Sequence, residues 1–273
     1  MKNYKLEIAF LLLVILISIA GFWELFMGAD AKPIGLHYLH LIISLSWLVL
    51  LLIQLINIQR KMFSTHRKLG IAIFIMAPLV MATVALLSVH SANKAIITGK
   101  EDVLIVQNVM ITFELGLVIF LAFVLRSNRN LHGALLLSSA ILVMVIALFF
   151  ALLSFIPIFK IEGPETFYRF GTAAITAGCI GAVIGIIFFF KSMRNGWPWL
   201  LAGSVFFING YINSLLHKSN GIQPLTEFVS SINEKQTFII TLVGFFALLS
   251  FAWYAGKSIK LNYTPTSKNI IYP

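Results

Sequence analysis

Apolar residues run along this chain in long stretches parted by short polar turns. Eight stretches read as helices: 6–27, 36–58, 67–90, 102–126, 131–156, 167–191, 197–217 and 236–258. A run of about 18 or more apolar residues, rising 1.5 Å per residue, is long enough to cross a bilayer. The turns between them are mostly brief, so consecutive helices are expected to lie antiparallel and adjacent. The expected fold class is all-α: a polytopic transmembrane helical bundle of about eight spans. A single domain covers 1–260, and the tail 261–273 is expected to be flexible. Spans one to four and five to eight share no visible repeat.

Local signals refine this pattern. Pro78 should kink the third span, and Gly196-Trp197-Pro198 forms a tight turn with proline at a helix start. Gly178, Gly181 and Gly185 in span six are small residues at a spacing that lets helices approach closely. The longest loop lies between Lys218 and Lys235. In it Leu225, Phe228, Val229 and Ile232 follow Pro224 at helical spacing, as in a short interfacial helix serving as an anchor rather than a lid. Near the N-terminus, Lys2, Lys5, the stretch Leu6–Phe22 and Ala29-Asp30-Ala31 imitate a cleavable signal. The stretch exceeds the usual core of about 7–15 residues, so the first helix is expected to be retained.

Composition agrees. Of 273 residues, 59% are hydrophobic and 11% charged, and the mean hydropathy is +0.95, whereas soluble domains are about a quarter charged. The net charge of +10 does not point to nucleic acid, because no soluble module remains to bind it. The basic residues instead lie in loops and orient the chain. Thirteen of the 20 Lys and Arg fall on the side of the N-terminus and seven on the other. The richer side is cytoplasmic by the positive-inside rule, so both termini are expected in the cytoplasm and the count of spans is even. The lone Cys179 excludes an intrachain disulfide and any cysteine-based zinc site or iron–sulfur cluster.

Chemistry is sought among polar residues inside the spans, where they are costly and face the bundle interior. Span two carries His37, His40, Ser44, Trp47 and Gln54 on one face. Span seven carries Asn209, Asn213 and His217 at successive four-residue steps. Thr83 and His90 share a face of span three, and Gln107 and Glu114 a face of span four. Together they predict an outward-facing polar cavity with Glu114 at its floor. A bare carboxylate at mid-bilayer costs several kcal/mol, so Glu114 is expected to be protonated, hydrogen-bonded or paired. Ser44, Asn209 and Asn213 are the expected partners, since Gln107 stands about 10 Å along the same helix. Glu114 is read either as a catalytic, proton-carrying or ligand-binding group or as a neutral acid satisfying an amide across helices.

Imidazoles are good ligands for zinc, copper or haem iron. His37 and His40 are one turn apart, and His90 or His217 is the candidate to complete a metal site. The alternative is interfacial histidines bonded to headgroups or loop carbonyls. His66 and His132 lie on the cytoplasmic side beside Arg67, Lys68, Arg126 and Arg129. They read either as basic interfacial residues meeting lipid phosphates or as a second haem-ligand pair. His66 and His90 are 24 residues apart on one helix, roughly 36 Å, which puts both at the bilayer edges. No nucleophile elbow, phosphate-cradling glycine loop or His-Glu-x-x-His motif is present.

His37-Tyr-Leu-His40, Gln54 and Thr65-His66-Arg67-Lys68-Leu69-Gly70 resemble a group of uncharacterised bacterial membrane proteins. Those pair H-x-x-H at the start of one helix with H-R-x-L-G opening the next. Arg129-Asn130-Leu131-His132-Gly133 is similar to their basic-Leu-His segment, with leucine at 137 where methionine is frequent. The motifs, across spans two to five, loosely resemble membrane proteins of cytochrome oxidase assembly and b-type cytochromes. The resemblance implies a metal- or haem-handling role (haem b among the candidates), a bacterial inner membrane, and a membrane-protein partner or respiratory complex. The leading expectation is thus an outward-facing His/Glu site binding a metal ion or haem in a redox, assembly or membrane-enzyme role. The alternatives are a proton-coupled small-molecule permease using Glu114 and a structural subunit without a site.

Overall fold

The computed structural model describes residues 4–29 and 31–258. Among these, eight long helices have the length and hydropathy to cross a membrane. They are α1 (Lys5–Met27), α2 (Gly35–Gln59), α3 (Phe63–Thr98), α4 (Ile105–Val124), α5 (Arg129–Phe155), α6 (Tyr168–Lys191), α7 (Trp197–Lys218) and α9 (Glu234–Ser258), with a short α8 (Ile222–Ser230). The expected all-helical bundle is what the chain forms, and it is a multi-pass membrane protein. The tail 261–273 lies outside the described residues.

Side-chain pairs show which helix ends meet. At one end, here the base, the Tyr4 N–H donates to Gln59 Oε1 and Lys191 pairs with Glu7 at 2.5 Å. There too Arg126 Nη2 donates to the Trp253 carbonyl and Asn128 Nδ2 to Asn195 Oδ1. At the other end, the rim, Phe26 meets Tyr38, His90 meets Glu234 and His217 approaches Glu101. These pairs put the first turns of α1 and the last turns of α9 at the base, as an even number of crossings requires. A water-soluble thiol reagent applied to intact cells should therefore label a cysteine placed at Gly163 or Lys100 on the rim. It should leave one placed at Asn128 or Arg194 on the base unlabelled until the membrane is opened. The reverse pattern would invert the orientation read from the basic residues.

A single apolar core joins all eight crossing helices, with α5 at its centre. It holds Leu11 and Val14 of α1, Trp47 and Leu48 of α2, Ile119 of α4 and Met144 of α5. The outer surface is apolar as well: Phe113 is 69% exposed and Ile240 67%. In water such a surface would not persist, whereas lipid tails accept it at no cost. α1 is part of this core, since Gly21 brings it against the Ala147 carbonyl of α5 so tightly that no Cβ would fit. The stripe on α6 packs as expected. A Cβ on Gly185 would stand 2.5 Å from the Trp199 carbonyl oxygen, one on Gly181 2.5 Å from Val145, and one on Gly178 would overlap Phe206.

Two elements differ from the sequence reading. α3 does not stop at residue 90. It continues to Thr98, passes through Pro78 as one helix, and ends on Gly99 in the left-handed conformation (φ 64°). Its last turns are polar and so invisible to a hydropathy reading. Asp102 ties them down by accepting from the Ser91 hydroxyl and from the Leu104 N–H, at 2.8 and 3.0 Å. α8 is not chiefly a membrane anchor: Ile222, Thr226 and Val229 are buried on its inner face. Ile222 and Val229 pack with Val89 and Ala92 of α3 and with Ile105 and Val106 of α4. Phe228 remains outward.

Candidate functional site

A cavity of about 1350 Å³ occupies the rim half of the bundle. Its polar lining comes from α2, α3, α4 and α7: His40, Ser44, Ser88, Gln107, Asn108 and Asn209. Its aromatic lining comes chiefly from α1, α5 and α6, through Phe22, Phe149, Phe150 and Phe170. Phe149 packs edge to face on Phe170 at 4.9 Å, and Phe22 lies tilted against Phe150 at 5.8 Å. Lys32 and Lys94 are exposed and mark the mouth, where Glu24 and His37 also line the wall. A cavity with the expected polar residues in its lining is therefore present in the rim half, and aromatic rings form part of its wall.

Its floor is not Glu114. Trp47 and Leu115 close the lower end, and Glu114 is absent from the lining. Trp47 is fully buried and donates from Nε1 to the Ser139 hydroxyl at 3.1 Å. Glu114 sits behind Asn209, whose Nδ2 donates both to Glu114 Oε2 and to Gln107 Oε1, each at 3.2 Å. Asn209 was one of the partners expected for Glu114, and it bridges the ten-ångström gap that Gln107 alone does not. Ser44, another expected partner, is engaged with His40 instead. Asn213 lines the cavity one turn nearer the rim.

The histidines do not converge as a set. His37 and His90 do meet, edge to face with ring centroids 5.7 Å apart. His40, one turn deeper on α2, points to Thr83 instead, because antiparallel α3 places Thr83 opposite that turn. Its Nδ1 lies 3.2 Å from Thr83 Oγ1 and its Nε2 3.3 Å from Ser44 Oγ. Thr83 donates its own proton to the Val80 carbonyl. The tautomer follows: His40 Nδ1–H donates to Thr83, and Nε2 accepts from the Ser44 hydroxyl. Both ring nitrogens are engaged, so neither is free for a metal.

His37 is compromised differently. Its Nδ1 accepts the Ile34 backbone N–H at 3.0 Å, which leaves the neutral ring's proton on Nε2. His90 Nδ1 faces Glu234 Oε1 at 3.1 Å, and Asn93 Nδ2 donates to the same oxygen at 3.2 Å. His217 stands apart on the exposed rim, 3.8 Å from Glu101. Among the described residues no three His, Cys, Asp or Glu side chains are placed to hold a metal ion. The shared site of His37, His40, His90 and His217 is corrected accordingly. Sequence spacing put them on suitable faces but could not show what each neighbouring helix sets opposite. Glu234 and Asn93, which decide the surroundings of His90, carried no signal beyond a carboxylate near a helix start.

At the base, His66 and His132 lie in a second polar cluster. His132 Nδ1 donates to the Ala122 carbonyl at 2.7 Å, an α4–α5 tie that the Asn128 N-cap of α5 positions. Gln54 Oε1, Asn57 Nδ2, His66 Nδ1 and Arg126 Nε are buried without partners among the described residues. The Arg126 guanidinium covers the Trp253 ring at 3.9 Å, a cation–π contact, and burial lowers its pKa from the ordinary value.

Comparison with protein families, with curated proteins and with solved structures finds no match. The class is defined by fold and site alone: a multi-pass helical membrane protein enclosing a mixed aromatic and carboxamide cavity in one half of its thickness.

Proposed function

We propose that this protein binds a small amphipathic molecule in the rim cavity, as the binding step of a permease-type carrier. The carrying observation is the cavity itself, about 1350 Å³ with an aromatic lining joined to a carboxamide and hydroxyl lining. Ligand sites combine an apolar body with a few convergent polar groups, usually within about 300–1,000 Å³. This one has room for a drug-sized molecule or a longer-tailed amphiphile. The positive-inside rule turns the rim outward, so the ligand would arrive from outside or from the outer leaflet. Glu114, tied to the lining through Asn209, supplies the carboxylate that a proton-coupled cycle needs.

The test is to purify the protein in mild detergent and analyse what it retains. A stoichiometric amphiphile is expected in the wild type and not in Ala174→Trp, which puts an indole into the cavity at a residue of its lining. Equal retention by both, or none by either, would overturn the reading and leave the structural-subunit alternative.

The metal or haem reading keeps one specific support, at the base. His66 Nδ1 is buried without a partner, and His132, held through Nδ1, has its Nε2 turned from that bond. An absorbance spectrum and metal analysis of the same preparation separate the two. The amphiphile reading expects no Soret band and no stoichiometric metal. A Soret band that disappears in His132→Ala would move the function to haem and to a redox or assembly role in a respiratory membrane.

A further inference from the structure

Ile175 of α6 and Phe207 of α7 line the cavity although each points away from the bundle core. Ile175 stands two residues from Ala173 and two from Ala177, both fully buried. Phe207 stands likewise between Val205 and Asn209, which are buried too. At 3.6 residues per turn, a step of two is more than half a turn, so both side chains leave the far side of their helices. They are 57% and 45% exposed. Both nevertheless share the cavity wall with the enclosed Trp47, so the cavity reaches the outer surface between α6 and α7.

The seam between these helices is shut toward the base and open toward the rim. A Cβ on Gly178 would overlap Phe206, and one on Gly203 would stand 3.1 Å from the Gly181 carbonyl oxygen. Further toward the rim on each helix, a Cβ on Gly171 or on Gly210 meets nothing within 4 Å. From Gly171 to Gly178 the slot spans about 10 Å of α6. Its edges, Gly171, Ala174, Ile175, Phe206, Phe207 and Gly210, carry no polar side chain, whereas the mouth carries Lys32, Lys94 and Glu24.

We infer that the ligand is a membrane lipid of the outer leaflet, whose acyl chain passes sideways between α6 and α7 and lies against Phe22, Phe149, Phe150 and Phe170. This rests on the amphiphile reading and gives its ligand class and its route. Water against that aromatic wall is costly, and an apolar chain that displaces it is favoured. The slot joins the wall to the hydrocarbon layer directly, at the depth where acyl chains lie. A polar solute crossing the same slot would lose its water and find no hydrogen-bonding side chain at either edge. The charged mouth is the route for such a solute, and the slot is the route for a chain.

The probe is a phosphatidylcholine with a diazirine at mid-chain, in phosphatidylcholine vesicles holding the full chain, and its adducts are mapped by mass spectrometry. Wild-type protein should carry adducts on Phe149, Phe150 or Phe170 inside the cavity, as well as on the outward Phe113 and Ile240. The slot is then barred without filling the cavity. Gly171→Cys and Gly210→Cys, with the exposed Cys179 changed to serine, are joined by a bis-methanethiosulfonate in detergent before reconstitution. Interior adducts should be lost in the linked protein and return when reduction cuts the link, while the outward adducts stay unchanged. Gly210→Trp, which sets an indole at the slot's edge, should give the same loss with no link. Interior adducts that survive both barriers would overturn the lateral route and leave a ligand that enters by the mouth. Their absence from every protein would overturn the acyl chain as ligand. The retention test on detergent-purified protein reports the amphiphile reading separately.

Discussion

Trp47→Ala is expected to lower stability by about 3–5 kcal/mol, the range for removing a large buried aromatic side chain. The indole is fully enclosed and forms the lower wall of the cavity. It also donates to the Ser139 hydroxyl, and that hydroxyl keeps its own bond to the Leu136 carbonyl. The loss is therefore mainly packing, and Trp47→Phe should cost far less. The measurement is thermal unfolding in detergent, followed by circular dichroism for the three proteins. The alanine variant should also accept longer probes, since its cavity grows downward by the volume of an indole. A Trp47→Ala protein that melts with the wild type would mean that the core around α2, α3 and α5 is not packed as described.

The second large effect lies in the α6–α7 seam. Gly185→Val should reduce the yield of folded protein sharply. Its first side-chain carbon falls 2.5 Å from the Trp199 carbonyl oxygen, and Gly203 Cα is 3.4 Å away. Both obstacles are backbone, so no rotamer change relieves them and the helices must separate. Overpacking typically costs about 1–3 kcal/mol even where side chains can adjust. Gly244→Ala is the control. A Cβ there meets nothing within 4 Å, and alanine favours a helix over glycine by about 1 kcal/mol. Gly244→Ala should melt at or above the wild-type temperature, Gly185→Val well below it. If the two behave alike, the tight α6–α7 approach is wrong.

The contrast between these glycines shows what a sequence can and cannot disclose. The eight crossings were legible because apolar length is a property of each segment alone. The packing role of Gly178, Gly181 and Gly185 was legible from their spacing, and the polar faces of α2, α4 and α7 from theirs. What lies across from each face was not. His40 and His37 share a helix face, yet one meets Thr83 and the other His90, because antiparallel neighbours match turn against turn. Asn209 could be named as a partner of Glu114. Its unpaired oxygen and the phenylalanines around the cavity emerge only when seven helices are placed together, since 24 phenylalanines give no sign of which ones meet. The end of α3 escaped for a different reason. Ser91, Asn93, Lys94 and Thr98 are helical through Asp102 and α8 rather than through lipid.

That long α3 also bears on membrane thickness. At 1.5 Å per residue its 36 residues reach about 54 Å, whereas the 20 residues of α4 reach about 30 Å, the depth of a typical hydrocarbon layer. α3 overhangs any bilayer and can slide through thickness changes with a small adjustment at its polar end. α4 has no length to spare for tilt, and it carries Gln107 and Glu114. In a thicker membrane the mismatch falls first on α4 and so on the amide bridge that holds Asn209. Affinity in the cavity should then depend on acyl-chain length in reconstituted bilayers, with the lipid acting as a gauge on the binding site.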